Sequence, residues 1–451
     1  MMQFGLARAD ITPRLGVELY GFGPYLHRYA KAVRTPLYAR AMAISDGGEA
    51  VVVVSCDLVG LSPDLVEEAR ERVAAASGLP GERICYHCTH THSGPTTKLG
   101  IGQGEPDAAY LELLPVRLAE AASRAIDDLT CAELRHAVVP CEGIGYNREY
   151  DVRPSLEDAL ADDWRPAMPE LTDTEAHVLR IDGERGMRGF ASYFSCHPVV
   201  GSASNHYIHG DFPAVATGLL ERDYPGSMGL FLQGCEGNIN SCVVHHGEQE
   251  SLLALDVIGS RYARQIRVGI DTATPLDGTG VNAVSRRFSL TRAPLPIQRL
   301  REELAACEEV TKAPGASETD AETRRLTVRA VGLRRELARV ERGETFDDTV
   351  EVQALRFGDV TLVGAPLEIM RRYRVRVQAE FDTPVLVMSL CNGASYYAPE
   401  RESFDMPDNY AAQIGPYMIG CPPFAPSVED ELVEAMIEVV AEVGTRPKHG
   451  A

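Results

Sequence analysis

Apolar residues in the first 290 positions alternate between short continuous runs and longer runs at helical spacing. The β-branched run at residues 51–55 predicts a buried strand, and the run at 84–88 predicts another. Between them, Ser62 is a suitable cap for a helix over residues 62–77, which Gly78 ends. This order of strand, helix and strand favours a parallel or mixed sheet covered by helices.

Further periodic segments extend the pattern along the chain. Helices are expected near residues 107–128, 212–221, 251–268 and 428–443, and strands near 187–195, 228–232, 350–357 and 360–363. Charged residues dominate 294–342, where helical spacing with an interruption at 313–316 predicts a helical hairpin, and the charge run at 324–342 is interpreted as a solvated helix face. The predicted fold is α/β: one large mixed-sheet domain over residues 1–445, covered by helices, with the hairpin inserted at 294–342.

Composition and charge narrow the class of protein. Of 451 residues, 44 are Lys or Arg and 65 are Asp or Glu, which gives a formal net charge of −21. This balance argues against nucleic acid or an anionic membrane as the main partner, because both are negatively charged. We see no signal peptide or bilayer-spanning run, and the eleven cysteines form no disulfide framework. We therefore expect a cytoplasmic protein of the kind typical of free enzymes.

Histidines lie at the ends of two predicted strands. His90 and His92 follow the strand at 84–88, and His197 follows the strand at 187–195. Residues just past the carboxyl ends of strands face the ligand crevice in doubly wound sheets. Catalytic zinc typically takes three protein ligands from separate elements and keeps a position open. Two strand ends that carry histidine therefore favour a metal site.

Several short motifs follow one another in a recognisable order. They are the segments 5–13 (GLARADITP), 36–41 (PLYARA), 55–58 (SCDL), 89–95 (THTHSGP), 147–148 (NR), 195–198 (SCHP), 363–368 (VGAPLE) and 390–397 (LCNGASYY). Together they resemble the neutral/alkaline non-lysosomal ceramidase family. The likeness covers most of residues 1 to 420, except for the helical hairpin.

The resemblance implies a metal-dependent hydrolase. It implies one zinc ion per chain, held by His90, His197, Glu368 and Tyr397. Two imidazoles, a carboxylate and a phenolic oxygen suit zinc and leave a position for water, whose pKa the ion can lower from ~15.7 to near 7. The implied activity is cleavage of an amide (N-acyl) bond by metal-activated water.

The catalytic residues that the resemblance implies include one departure from the family. His92 and Arg148 would lie beside the open position, where they could polarise a carbonyl and stabilise an oxyanion. Asn240 stands where family members carry a serine in a Gly-Asp/Asn-x-Ser-Pro-Asn turn, and an amide cannot be deprotonated into a nucleophile. A slip of one residue would place Ser241 there, so Ser241 remains an alternative to water. The histidines at 245–246 are interpreted as a surface loop, and the alternative is contact with the substrate or a second metal.

Other polar residues near these motifs have candidate supporting roles. Asp57, Asp211 or Glu236 could be the general base or a hydrogen-bonded partner of the histidines, although Asp211 also suits a helix cap. His209 and Tyr396 are candidates for contacting the substrate. For His209 the alternative is a solvated loop position. Tyr396 is also the alternative to Tyr397 as the metal ligand.

The composition argues against ceramide itself as the substrate. One Trp and 7% aromatic residues offer few large hydrophobes for a deep lipid slot, so a smaller, polar acylated compound fits better. The immunoglobulin-like C-terminal domain usual in these ceramidases is not expected after Val443. The alternatives are an ester, lactone or glycoside-cleaving metal enzyme, and a metal-binding protein without catalysis. Residues 410–423, rich in Gly, Pro and Tyr, are expected to form either a pocket wall or a contact in a homo-oligomer.

Overall fold

Strands and helices alternate along the chain in this computed structural model, which describes residues 2–98, 100–347 and 349–448. The strands are β1 Gln3–Asp10, β2 Ala32–Val33, β3 Tyr38–Ser45, β4 Ala50–Cys56, β5 Ile84–Cys88, β6 Thr130–Cys131, β7 Glu133–Pro140, β8 Gly145–Asn147, β9 Glu175–Gly183, β10 Gly186–Phe194, β11 Tyr207–Ile208, β12 Met228–Gln233, β13 Ile239–Ser241, β14 Thr274–Pro275, β15 Val281–Ser289, β16 Thr349–Phe357, β17 Val360–Gly364, β18 Glu368–Ile369, β19 Val385–Met388 and β20 Tyr397–Ala398. The helices are α1 Pro63–Ser77, α2 Ala108–Asp127, α3 Leu156–Leu160, α4 Asp211–Asp223, α5 Glu248–Thr272, α6 Ile297–Thr311, α7 Ala321–Glu341, α8 Arg371–Ala379, α9 Gly415–Met418 and α10 Val428–Glu442. None of the helices in the described ranges is both long and apolar enough to cross a membrane.

Three larger sheets form the framework, and each carries one parallel pair of strands. Their strand orders are β5-β4-β3-β1-β6, β12-β10-β9-β7-β14 and β15-β16-β17-β19. The pairs β4/β5, β10/β12 and β17/β19 are parallel, and the other pairs in these sheets are antiparallel. The predicted mixed-sheet α/β fold is confirmed.

One apolar cluster joins the three sheets. Val53 of the first sheet, Leu179 and Leu230 of the second, and Leu355 and Leu362 of the third belong to it, and all are fully buried or nearly so. Such short, apolar runs are typical of strands covered on both faces. Because the sheets pack on one another here, their edges are held in a fixed relation around the candidate site.

The first helix begins and ends where the sequence predicts, but the side-chain hydrogen bond expected from the Ser62 cap is not formed. Gly78 has φ of 76°, the left-handed conformation that glycine adopts easily at a helix end. The Ser62 side chain forms no capping hydrogen bond. Its backbone carbonyl instead accepts from the Val66 N–H at 3.3 Å, so the first turn is held by main-chain contacts.

Helices α6 and α7 pack on each other and on the segment that contains α9. Leu300 and Cys307 of α6, Ala330 and Leu333 of α7, and Tyr417 share one buried cluster. The charge run at 324–342 is therefore not simply a solvated face, because one side of α7 faces protein. This packing brings the N-terminal end of α7 to the candidate site.

Candidate metal centre

The candidate ligands lie beyond the ends of strands that belong to parallel pairs. His90 follows β5, His197 follows β10, Glu368 follows β17, and Tyr397 follows β19. The two short strands β18 and β20 pair in parallel and set Glu368 directly opposite Tyr397. Carboxyl ends of parallel strands meet at one edge of a sheet, and side chains beyond them converge on a crevice. Residues distant in sequence are brought together in this way.

Two histidines share one carboxylate oxygen. The Nε2 atoms of His90 and His197 lie 3.6 and 3.3 Å from Oε2 of Glu368. The two imidazole rings are 4.8 Å apart between centroids. All three residues are buried, with Glu368 the most accessible at 8%. The cluster is therefore close enough for a single ion to touch every member.

Backbone carbonyls fix how both histidines are protonated. Nδ1 of His90 lies 2.7 Å from the Val59 carbonyl, and Nδ1 of His197 lies 2.7 Å from the Glu236 carbonyl. A carbonyl can only accept, so each Nδ1 donates and each Nε2 of the neutral ring keeps its lone pair. These lone pairs face the carboxylate. The predicted pairing of the histidines with Asp57 or Asp211 is wrong, because main-chain oxygens take that role.

The donor set fits a small divalent cation. Nε2 of His197 and Oε2 of Glu368 are buried and have no hydrogen-bond partner within the described residues. Their lone pairs point at each other across 3.3 Å, which a cation between them would convert from repulsion to attraction. Four ligands at ~2.0–2.1 Å around tetrahedral zinc lie roughly 3.3 Å apart, close to the observed separations. Nitrogen and carboxylate donors also suit zinc chemically.

The electrostatics of the cluster also favour a cation. Burial would raise the pKa of Glu368, but the adjacent His90 and His197 outweigh it and hold that pKa well below its usual value. Burial opposes charge on His90, yet the Glu368 carboxylate raises its pKa above the ordinary value. Burial lowers the pKa of His197 to about 4, so this ring is neutral and can offer a lone pair to a metal ion. The carboxylate thus attracts positive charge to this point.

Two further residues crowd the cluster. Nε2 of His92 lies 3.2 Å from Nε2 of His90, so His92 is within reach of the same ion. Glu236 joins a second group with His90 and Glu368, whose ligand atoms all lie within 4.8 Å of one another. Burial raises the pKa of Glu236 to about 8. His90 itself has φ of 69°, a strained backbone conformation for a residue other than glycine. Strained residues of this type cluster at functional sites.

A cavity of about 340 Å³ opens beside the cluster. Its wall includes His92, Arg148, His197, Asn240 and Tyr397. The Arg148 guanidinium donates to the Gly237 carbonyl at 2.6 Å and to Oδ1 of Asn240 at 3.4 Å, and it lies 5.0 Å from the centre of the Tyr397 ring. The cavity is therefore lined both by candidate metal ligands and by the positively charged guanidinium of Arg148, which its hydrogen bonds hold in place.

Comparison with known proteins supports the fold and the family. The profile described as neutral/alkaline non-lysosomal ceramidase, N-terminal, matches residues 2–233, more than half of the chain. The chain belongs to this family. Its enzymes are hydrolases that cleave an amide C–N bond outside peptides.

Two solved structures share the fold of this ceramidase-family chain. One is the neutral ceramidase from Pseudomonas aeruginosa, with a TM-score of 0.72 and 20% sequence identity over 100% of this chain and 76% of that one. The other is a ceramidase complexed with C2, with a TM-score of 0.72, 19% identity and the same coverage. The structural similarity thus extends beyond the sequence motifs and includes the helical hairpin.

Asn240, and not Ser241, faces the cavity. Asn240 lines the cavity and pairs with His197 in a short parallel bridge. Ser241 is fully buried, and its hydroxyl donates to the Val243 carbonyl at 2.9 Å. Neighbouring residues of a strand point to opposite faces, so Ser241 faces away from the cavity that Asn240 lines.

Two predicted supporting residues serve other contacts. Oδ2 of Asp57 accepts from the Tyr38 N–H at 3.0 Å, and burial raises the pKa of Asp57 to about 6. Asp211 begins α4, but the cap position is Gly210. The Asp211 carboxylate accepts from Gly201 N–H at 2.9 Å and so ties the chain after His197 to the helix. Both therefore brace the scaffold around the site.

His209 and Tyr396, which are predicted to contact the substrate, both bond to surrounding protein groups in this structure. His209 is buried, and its ring nitrogens lie 3.0 Å from Nδ2 of Asn205 and 3.1 Å from the Asp211 N–H. The Tyr396 hydroxyl donates to the Tyr410 carbonyl at 3.2 Å. Neither residue lines the cavity in the described structure, because each is turned toward the surrounding protein.

Several cavity residues escaped the sequence interpretation. They are Phe22, Pro24 and two arginines at the start of α7, Arg324 and Arg325. The arginines belong to the charge run that is interpreted as a solvated helix face. Two other residues also line the cavity: His245, for which a surface loop is the favoured interpretation, and Tyr410, from the segment expected to form a pocket wall or an oligomer contact. The position of α7 depends on long-range packing, so no local signal shows that its first turn meets the ligand cluster.

Proposed function

We propose that this protein is a zinc-dependent hydrolase that cleaves the N-acyl amide bond of a small polar substrate with water. The observation that carries the proposal is the meeting of two backbone-fixed imidazoles with one buried carboxylate oxygen beside a cavity. Family membership places the chemistry among amide hydrolases. His90, His197, Glu368 and Tyr397 would hold the ion. When bound, zinc supplies Lewis acidity that activates water and polarises the scissile carbonyl.

The protein's own groups supply the rest of the chemistry. Arg148 keeps its charge at any working pH and is anchored by the Gly237 and Asn240 oxygens, so its remaining N–H groups are fixed for an oxyanion. Anchored donors need no reorganisation as charge develops on the substrate. Asn240 acts as a positioning residue for Arg148. It replaces the family's serine without providing a nucleophile, which leaves water as the attacking group.

Glu236 is the best candidate for moving a proton. Its carboxyl oxygens form no hydrogen bond of ordinary geometry among the described residues, although the Ser389 hydroxyl is close enough to lower its pKa. It lies against His90 and Glu368, whereas Asp57 and Asp211 are engaged with backbone N–H groups. A buried carboxyl group that lies against the ligand cluster without a hydrogen-bonded partner among the described residues is placed to accept and return a proton.

The cavity favours a substrate smaller than a two-chain lipid. The solved relatives are named ceramidases. A volume of about 340 Å³ is at the lower end of the ~300–1,000 Å³ range of small-ligand pockets. Phe22, Val199, Val244 and Met418 provide apolar wall for a short acyl chain or side chain. We therefore place the substrate among short N-acyl compounds.

Metal analysis and a substrate panel test this function together. Purified protein should contain about one zinc per chain and hydrolyse at least one N-acyl amino acid, N-acetyl sugar or short ceramide in a panel that also contains lactones, esters and glycosides. His197→Ala should lose both the metal and the activity. His206→Ala, a half-buried histidine outside the cluster, is the matched control and should retain both.

Other outcomes separate the alternatives. Turnover of only lactones, esters or glycosides would replace the amide assignment while keeping the metal site. Zinc retained with no turnover of any class would favour a metal-binding protein without catalysis. Amide cleavage that survives complete zinc removal would contradict the proposed mechanism.

A further inference from the structure

The cavity beside the ligand cluster is lined by positive and neutral groups. Arg148, Arg324 and Arg325 belong to its wall, as do three histidines. No Asp or Glu is among the described residues that line it. This contrasts with the chain as a whole, whose formal net charge is −21. A low-dielectric cleft lined by one sign of charge concentrates ligands of the other sign.

The two arginines from α7 differ in how their charge is balanced. Arg325 makes a two-pronged contact with Glu322, at 2.8 Å from Nε and 2.6 Å from Nη2, so a carboxylate already neutralises it. Arg324 has no ion pair within the described residues. Its Nη1 donates to the carbonyls of Glu318 and Thr319 at 2.8 and 2.9 Å, which fixes the side chain without neutralising it.

Arg324 also keeps donor capacity that the protein does not use. Its Nε is buried and has no hydrogen-bond partner in the described structure. Backbone hydrogen bonding and, to a smaller extent, the charge of Arg324 lower the pKa of the Asp320 carboxylate at the helix cap, but no salt bridge joins Arg324 to a described carboxylate. A planar guanidinium with one edge anchored in this way is suited to bind a carboxylate in a fixed geometry. Among the described residues Arg148 likewise has no ion pair, but it lies against Tyr397 and Asn240 at the reacting end of the cavity. The two cations can therefore serve different parts of one substrate.

We propose that Arg324 recognises a carboxylate on the substrate, so that the preferred substrates are N-acyl compounds bearing an anionic group, such as N-acyl amino acids. This inference rests on the proposed function and narrows its substrate class. The apolar wall formed by Phe22, Val199 and Met418 accommodates the uncharged part of the same molecule. The helical hairpin thus contributes substrate specificity and not only packing.

A pair of substrates with equal size and different charge tests the proposal. N-acetyl-L-leucine carries the carboxylate, and N-acetyl-L-leucinamide replaces it with a neutral amide. Wild-type protein should prefer the acid by at least about tenfold in kcat/KM. Arg324→Gln should lower kcat/KM for the acid by about 30-fold, as expected for loss of one charge-assisted hydrogen bond, and leave the amide within about threefold. Arg334→Gln, at an exposed arginine of the same helix that pairs with Glu308 away from the cavity, is the matched control and should change neither substrate.

Calorimetric binding keeps this inference separate from the proposed function. N-acetyl-L-leucine should bind chelator-treated wild-type protein more tightly than N-acetyl-L-leucinamide, and Arg324→Gln should abolish the difference. If the acid binds in this way but is never hydrolysed, the carboxylate site stands and the amidase function fails. Equal binding and turnover of acid and amide by wild-type protein would overturn the carboxylate site alone. An equal loss for both ligands in Arg324→Gln would show a purely structural role and would also overturn it.

Discussion

Replacing Arg148 tests how the site stabilises a developing negative charge. Of the five N–H donors of its guanidinium, one is used by the Gly237 carbonyl at 2.6 Å and one by Oδ1 of Asn240 at 3.4 Å. The remaining donors are available to the Tyr397 ring and to the substrate. Removal of an oxyanion donor lowers kcat by ~10²–10³, or about 3–4 kcal/mol of transition-state stabilisation. We expect Arg148→Met to lose that much in kcat with little change in KM.

The kcat of Arg148→Lys should lie between those of the wild-type protein and Arg148→Met. Lysine keeps the charge but cannot hold both anchoring contacts and the oxyanion at once. Steady-state kinetics on the best N-acyl substrate measure the effect, with metal content and thermal unfolding recorded for each variant. Arg153→Met, at an exposed arginine nearby, is the control and should leave kcat unchanged. The reasoning is refuted if Arg148→Met keeps kcat within about threefold, or if its loss of activity matches a loss of metal.

Three further predictions follow from individual contacts. Tyr397→Phe should weaken zinc affinity by at least ~10–100-fold in a chelator competition assay, whereas Tyr396→Phe should leave it unchanged, and equal effects would contradict the assignment of the ligand. Ser241→Ala should keep activity within about threefold and lower stability by about 1 kcal/mol through its lost hydrogen bond, so inactive but folded protein would restore serine as nucleophile. Burial raises the pKa of Asp211 to about 6, above ~3.9 in the unfolded chain, so its contribution to stability is fully present below about pH 4 and is lost as pH rises through 6. In urea unfolding, the free energy of unfolding should therefore fall by up to ~3 kcal/mol between pH 4 and 7 through Asp211, and this part of the fall should be missing in Asp211→Asn. A variant with the same pH profile as the wild-type protein would contradict this.

The parts of the site that the sequence reveals are those carried by strand ends. His90 and His197 follow short, largely apolar runs, and such runs predict both a strand and the place where it stops. The position just beyond a strand end is meaningful before the fold is known, because that edge faces the crevice. Glu368 and Tyr397 have no such local signal. Only the family resemblance distinguishes them from an ordinary acid and an ordinary aromatic residue.

Residues whose role depends on long-range packing were misjudged. Asp211 has the residue type of a helix cap, but its carboxylate bonds to Gly201 ten residues earlier. His209 lies in a loop by sequence, yet the fold buries it against Asn205. Arg324 belongs to a charge run typical of solvent-exposed helices, and only the docking of α7 on the segment around Tyr417 brings it to the cavity. Partners of this kind are set by tertiary structure and not by neighbouring residues.

The central claim is that one cation binds between His90, His197, Glu368 and Tyr397. An anomalous difference map collected on crystals of the zinc-loaded protein, at energies on both sides of the zinc absorption edge, tests it most directly. We predict one peak per chain, ~2.0–2.2 Å from the Nε2 atoms of both histidines and from Oε2 of Glu368, with the Tyr397 hydroxyl as the fourth protein ligand. A map without a peak there, or with zinc bound at another cluster while this one stays empty, would contradict the account.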